Sequence, residues 1–347
     1  MRMEAVEVAL PSRKVSNAEV LALIREHSTA TFAGDLDKTL RHIRHCLHYS
    51  GARIRRWLAP GETPISLIGA CIDKALATAG CSRDDIDLLL YAGVDRGFNE
   101  PSNANLIAST LGLPNIQCFD ILEACNGWSR ALQLSYALIS AGFFRRILIL
   151  NGEFNMFAGG AIFPVLFKLH NPGEVICRLP AYTLGEAATA TIVSNAESEQ
   201  WEFFFCGRND FADLCTVPLP GYERYCNGSD RIGRNGIGAF TSFGHELFTV
   251  GTDFAMDVFR RLQTPRDEIR AIFPHAASKR VWNDAAASLG VEHLMYYIYP
   301  EYGNLVSASV PAAIAKAVAE RRVRRGDRIV GWVASAGMSF AAYSFEY

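Results

Sequence analysis

Phe119-Asp-Ile-Leu-Glu-Ala-Cys-Asn-Gly-Trp128 runs straight into Ser129-Arg-Ala-Leu-Gln-Leu-Ser-Tyr-Ala-Leu-Ile139, and the join falls at Cys125. A short apolar strand that hands over at once to an apolar helix is the building unit of an α/β protein. The start of such a helix carries free N–H groups and the positive end of the dipole. Both favour thiolate over thiol, and both suit an oxyanion. Cys125 therefore reads as an acyl-accepting nucleophile, against the commoner reading of a cysteine as core filler. Glu123 would oppose ionisation unless it pairs. A salt bridge to Arg130 is one reading of it, and a pocket-facing carboxylate that selects the substrate is the other.

The same grammar extends in both directions. Ile65–Ala79 has helical periodicity and stops at Gly80, Ile86–Ala92 is a buried strand, and Ser102–Leu111 is a helix closed by Gly112. Arg146–Leu150 and Thr189–Val193 are strands. The pattern returns with a helix at Phe248–Leu262, a strand at Ile269–Phe273, helices at Ala276–Leu289 and Val306–Glu320, and strands at Arg328–Val333 and Ala342–Tyr347. Apolar strands without alternation imply sheets covered on both faces. Two stretches of similar content suggest a duplicated core, divided at the polar run 197–202, although no residue-level repeat is visible. The aromatic segment Asn155–Arg178 looks like an insertion that lines a cavity or an interface.

Bulk properties narrow the function. With 347 residues, half of them hydrophobic and 20% charged, the chain can bury a substantial core. A net charge of −2 advertises no basic face for nucleic acid, and no apolar run is long enough for a membrane span. Nine cysteines without paired spacing, after an N-terminus lacking a secretory pattern, imply reduced thiols in a cytoplasm.

Two more positions resemble Cys125. His275, in Ile272-Phe-Pro-His-Ala-Ala-Ser278, sits where a buried strand meets a helix. Asn304, in Tyr302-Gly-Asn-Leu-Val-Ser-Ala-Ser-Val-Pro311, leads a small-residue helix and taken alone is an N-cap. The ordered set Cys125, Pro274-His275 and Gly303-Asn304 resembles the β-ketoacyl-ACP synthase III branch of the thiolase superfamily. Ser50-Gly-Ala-Arg-Ile-Arg-Arg56, Asp84-Asp-Ile-Asp-Leu-Leu-Leu90, Pro101-Ser102, Leu184-Gly-Glu-Ala-Ala-Thr-Ala190 and Ala334-Ser-Ala-Gly-Met-Ser-Phe340 match other stretches of that family in order.

The resemblance implies a thiolase-like fold: two βαβαβαββ halves, 1–195 and 196–347, forming a five-layered αβαβα core with the insertion at about 155–178. It implies an acyl-Cys125 intermediate made from a coenzyme A or acyl carrier protein thioester. Decarboxylative Claisen condensation with a malonyl-type thioester follows, with His275 and Asn304 holding the enolate. The N–H groups of Cys125 and Gly337 would form the oxyanion hole. A homodimer is implied, and no metal or organic cofactor. Arg178 lies where the family has a phosphate-contacting arginine, though a surface ion pair is the plainer reading. Glu100 replaces an apolar residue that gates the partner subunit's acyl tunnel, and Ser278 replaces a helper asparagine. These departures leave open an acyltransferase that passes the acyl group to an alcohol or amine. A non-catalytic partner subunit is a third reading, opposed by the survival of all three polar residues. The histidines of His42-Ile-Arg-His-Cys-Leu-His48 diverge around a helix and suit a polar face better than a metal.

Overall fold

The computed structural model describes residues 1–195 and 200–347. Of the expected dividing run, residues 197–199 lie outside the described ones, as does the boundary residue 196. The strands in chain order are β1 (Arg2–Ala9), β2 (Arg13–Ser16), β3 (Ile54–Trp57), β4 (Leu88–Tyr91), β5 (Gln117–Asp120), β6 (Arg146–Glu153), β7 (Ala187–Ser194), β8 (Glu202–Gly207), β9 (Cys215–Thr216), β10 (Thr241–Ser242), β11 (Ile269–Pro274), β12 (Arg328–Ser335) and β13 (Ser339–Glu346). The helices are α1 (Asn17–Ser28), α2 (Leu36–Ser50), α3 (Pro64–Ala79), α4 (Asn103–Thr110), α5 (Gly127–Ser140), α6 (Val175–Arg178), α7 (Gly244–Arg260), α8 (Lys279–Ser288), α9 (Tyr299–Tyr302) and α10 (Ser309–Ala319).

The duplication is visible in the sheets. One has the order β1-β7-β6-β4-β5, the other β8-β13-β12-β11. In each, the first two pairings are antiparallel and the next is parallel. The first sheet ends in a further parallel strand, β5. In the second, that strand has shrunk to one parallel bridge between Ile272 and Met295. Hydrogen-bond register matches the halves residue by residue. Ile147 lies opposite Leu88 as Ile329 lies opposite Ala271, so Glu153 at the end of β6 corresponds to Ser335 at the end of β12.

Apolar side chains sort the helices into layers. α5 and α10 fill the space between the sheets, where Trp128, Leu132, Ala312 and Ala313 meet Ile149 and Val333. α3 and α4 cover the outer face of the first sheet through Ile72 and Ile107, and α7 and α8 cover the second through Phe259 and Trp282. Helix ends follow local chemistry. Thr63 caps α3 and Gly80 closes it with a left-handed φ of 66°, which costs glycine little.

Several expectations need correction. β5 is not buried: its residues alternate between exposed and half-buried, because it is an edge strand. α8 starts at Lys279 rather than Ala276, since Ser278 caps it by accepting from the Val281 N–H. α10 starts at Ser309, because Val306–Ala308 forms a tighter 3₁₀ turn. The 155–178 insertion builds a core of its own rather than lining a cavity. Ile162, Leu166, Phe167 and Leu169 are buried against Val20, Leu40, Trp57 and Tyr182, while Phe157 and Ile176 stay exposed.

Candidate active site

Cys125 and Asn304 precede the two middle-layer helices, at matching places. Ala124–Asn126 is a 3₁₀ turn that leads into α5, and Val306–Ala308 is one that leads into α10. The first residue of each turn has a positive φ, 45° at Ala124 and 51° at Val306. Such a conformation is uncommon for alanine and strained for a β-branched residue, and it concentrates at functional turns. The two turns pack against each other, and the Cys125 turn also packs on β12. By the same correspondence, Ser307 is the counterpart of Cys125.

Val306 is where the other two polar groups meet. Its N–H donates to Asn304 Oδ1 at 2.9 Å, and its backbone favours the protonated form of the His275 ring. Asn304 is thus not an N-cap of α10 but the head of a two-residue turn. Its backbone is clamped between Thr183 O and the Gly185 N–H, both at 2.9 Å. With Oδ1 engaged, Nδ2 has no acceptor among the described residues. His275 is buried; its N–H donates to Trp332 O, and Nδ1 lies 3.2 Å from Ser309 Oγ. Burial lowers its pKa to about 4, so the ring is neutral at physiological pH.

The thiol departs from expectation. Burial pushes Cys125 well above its ordinary value, and the neighbouring Cys215 and Glu153 push further. The nearby Ser335 hydroxyl pulls weakly the other way. Desolvation is the largest of these influences, so the resting group is a thiol that needs a proton acceptor. Neither the Cys125 N–H nor the Gly337 N–H donates to a backbone carbonyl among the described residues. Gly337 turns the β12–β13 hairpin with φ 112°. That hairpin is tied to the Cys125 turn by Ser335 Oγ donating to Glu123 O and Asn126 Nδ2 donating to Ser339 Oγ.

The remaining candidates do not join this group. Glu123 makes a two-pronged ion pair with Arg130, at 2.5 and 2.9 Å, and Arg130 lies over the Phe205 ring. Arg178 is neither on the surface nor free for phosphate. It is buried and donates to Asn235 Oδ1, Val165 O and Lys168 O, with Glu174 at 3.3 Å. Ser278 caps α8. Glu100 is exposed on the loop between β4 and α4.

Sequence reasoning missed Glu153, Ser307 and Cys215. Asn151 and Glu153, two polar residues closing an apolar strand, were the available signal for the first. Cys215 lies on a two-residue strand in irregular sequence and reaches Cys125 only through folding. An apolar slot between α7 and α8, lined by Leu247, Phe248, Gly251, Val281 and Ala334, ends at His275.

Residues 259–347 match the family model for the C-terminal region of 3-oxoacyl-[acyl-carrier-protein] synthase III. A β-ketoacyl-[acyl-carrier-protein] synthase III of Aliarcobacter butzleri is 26% identical, over 86% of this chain and 87% of its own. A 3-oxopimeloyl-[acyl-carrier-protein] synthase of Brucella abortus is 27% identical, over 96% and 94%. Among solved structures, a variant of Xanthomonas campestris OleA with bound lauric acid and lauroyl-CoA superposes with a TM-score of 0.82 at 17% identity. That match covers 99% of this chain and 98% of OleA. The Aquifex aeolicus 3-oxoacyl-[acyl-carrier-protein] synthase III gives 0.79 at 21%, covering 100% and 99%. A doubled five-layer fold, a C-terminal region matched by the family's own model and relatives aligned along most of their length make this chain similar to the β-ketoacyl-ACP synthases III in fold and in sequence.

Proposed function

We propose that this chain is an acyltransferase that condenses acyl thioesters. Cys125 takes an acyl group from a coenzyme A or acyl carrier protein thioester, and a malonyl-type thioester then loses carbon dioxide and attacks the acyl-cysteine. The observation that carries this reading is the meeting of His275 and Asn304 on Val306, in the turn packed against that of Cys125.

Neutrality refines the part His275 takes. The neutral ring keeps a proton on one nitrogen and a lone pair on the other. During acylation that lone pair takes the Cys125 proton, the new C–S bond forms, and the carrier leaves as thiolate. The resulting imidazolium and Asn304 Nδ2 then hold the malonyl thioester oxygen while carbon dioxide departs. After the enolate attacks, Cys125 leaves as thiolate and recovers its proton from His275. The Cys125 and Gly337 N–H groups hold the acyl oxygen. These steps need no metal or organic cofactor.

We further propose a cytoplasmic homodimer joined along the first sheet. Its support is the free edge at β5, where Phe119 and Leu122 are exposed. Intact mass spectrometry after exposure to a panel of acyl thioesters tests loading of Cys125. Release of carbon dioxide from a malonyl thioester separates condensation from transfer to an alcohol or amine. A protein that acquires no acyl adduct refutes the assignment.

A further inference from the structure

Glu153 ends β6 with no exposed surface. Its Oε1 accepts from the Ser307 hydroxyl, from the Ser307 N–H at 3.3 Å and from the Val94 N–H at 3.0 Å. Oε2 faces the Asp95 N–H at 3.4 Å. The Ser307 hydroxyl also accepts from Asn151 Nδ2 at 2.9 Å, and Asn151 Oδ1 accepts from Thr189 Oγ1 at 3.2 Å. A carboxylate buried this completely persists only where donors surround it. Here the donors come from the loop after β4 and from the turn that carries Val306.

The duplication gives this pair a meaning. Ser307 is the counterpart of Cys125, and Glu153 is the counterpart of Ser335. Two pairs therefore cross between the halves at one place: Cys125 with Ser335, and Ser307 with Glu153. The first is a thiol with a hydroxyl, the second a hydroxyl with a carboxyl.

On the condensing role proposed above, we infer that Ser307 and Glu153 are a positioning pair: they fix the turn that presents Asn304 and Val306, and they set a negative charge against the Cys125 sulfur. The pair touches no reacting atom. It acts by holding Asn304 and His275 in register and by keeping the nucleophile in its thiol form until substrate arrives.

The electrostatics agree with the geometry. Burial raises Glu153 to about 7, its bonds to Ser307 and Val94 lower it, and Asp95 raises it. Other titratable groups around it are Tyr91 on β4, Cys125 with Cys215 beyond it, His275 on Val306, and Glu186, which shares Asp95 as a neighbour. Arg96 acts on Asp95 and Tyr91, while the charge of Glu153, present above about pH 7, raises Cys125.

The test uses the full chain and two variants, Glu153→Gln and Ser307→Ala. Iodoacetamide alkylation of Cys125 is followed by peptide mapping from pH 6 to 9.5, alongside malonyl-thioester decarboxylation. Glu153→Gln should raise the alkylation rate at pH 9 about threefold or more, because the opposing charge is gone. At pH 9 the Glu153 carboxyl is still ionised in Ser307→Ala, so that rate should stay within about 1.5-fold of the parent. Both should cut kcat for decarboxylation, by up to about 100-fold, with little change in KM, since Asn304 is displaced rather than removed. Coincident alkylation profiles for Glu153→Gln and the parent overturn the inference. So does an unchanged kcat in Ser307→Ala, which deletes one hydroxyl and decides the matter alone if Glu153→Gln fails to fold. Alkylation needs only the thiol: a parent protein that alkylates yet loads no thioester refutes the condensing role, while the profiles still judge Glu153.

Discussion

Ala92 and His275 occupy the same place in the two halves: each follows the second strand of its sheet and gives its N–H to the neighbouring strand. Ala92 donates to Leu150 O at 2.8 Å and His275 to Trp332 O at 2.9 Å. One half holds a methyl group where the other holds an imidazole. Replacement of His275 by alanine therefore reproduces an arrangement the fold already contains. His275→Ala should fold normally by circular dichroism and lose malonyl decarboxylation by about 100- to 1,000-fold. Full decarboxylation in a folded variant would remove the imidazole from the mechanism.

Cys125→Ser retains the shape of the turn and exchanges the thiol for a poorer nucleophile. Acyl loading should fall by a factor on the order of 10⁴ or more, with the intact mass unchanged after exposure to acyl-CoA. An adduct that persists on the variant would point to another of the nine cysteines.

Glu186 offers a stability test with a definite sign. It is buried and accepts from the Leu58 N–H at 2.6 Å and the Met156 N–H at 2.8 Å, and burial raises it from 4.5 to about 7. The folded chain therefore holds this proton where the unfolded chain has lost it. The stability it contributes is complete below about pH 4.5 and is lost as pH rises through about 7. Glu186→Gln does not titrate. Between pH 5 and 8 the parent should lose about 2–3 kcal/mol relative to the variant, measured by urea unfolding at each pH. Parallel curves would show that the carboxyl ionises alike in both states.

Gly185 is a test of the clamp on Asn304. A Cβ built there would lie 2.0 Å from Tyr302 O and 3.0 Å from a Leu305 methyl, and Tyr302 O belongs to backbone that cannot swing aside. Gly185→Ala should cost about 2–4 kcal/mol and slow decarboxylation more than acyl loading, because the Gly185 N–H holds Asn304 O. Equal losses in both half-reactions would mean general damage instead.

Arg178→Ala separates brace from ligand. Loss of its bonds to Asn235, Val165 and Lys168 should lower Tm, by about 2–4 kcal/mol of stability. KM for coenzyme A thioesters should change no more than KM for pantetheine thioesters. A selective rise for coenzyme A would restore the arginine to the phosphates.

Much of this was legible in sequence because it is local. β4, β6, β11 and β12 are short apolar runs closed by turn residues, and Gly80 and Gly112 end their helices as their positions imply. Cys125, His275 and Asn304 stand at element ends, where a strand or turn hands over to a helix, and that placement is written in pattern. Glu153 was illegible because nothing near it in sequence reveals its burial; Ser307 comes from 154 residues away. The ionisation of Cys125 was misjudged for the same reason. Helix position is a local feature, whereas burial beside Cys215 and Glu153 depends on the other half of the chain. Arg178 was misplaced because its acceptors include Asn235, part of a glycine-rich string that shows no pattern of its own.

Val306 packs against the same apolar cluster that Leu166, Phe167 and Leu169 build from the 155–178 insertion. The aromatic block is therefore a mechanical backing plate for a turn held in an unfavourable twist. Evolutionary drift in that block would be felt as altered turnover before it was felt as altered fit, and a redesign that grafts new substrate preference there would retune the chemistry along with the choice of cargo.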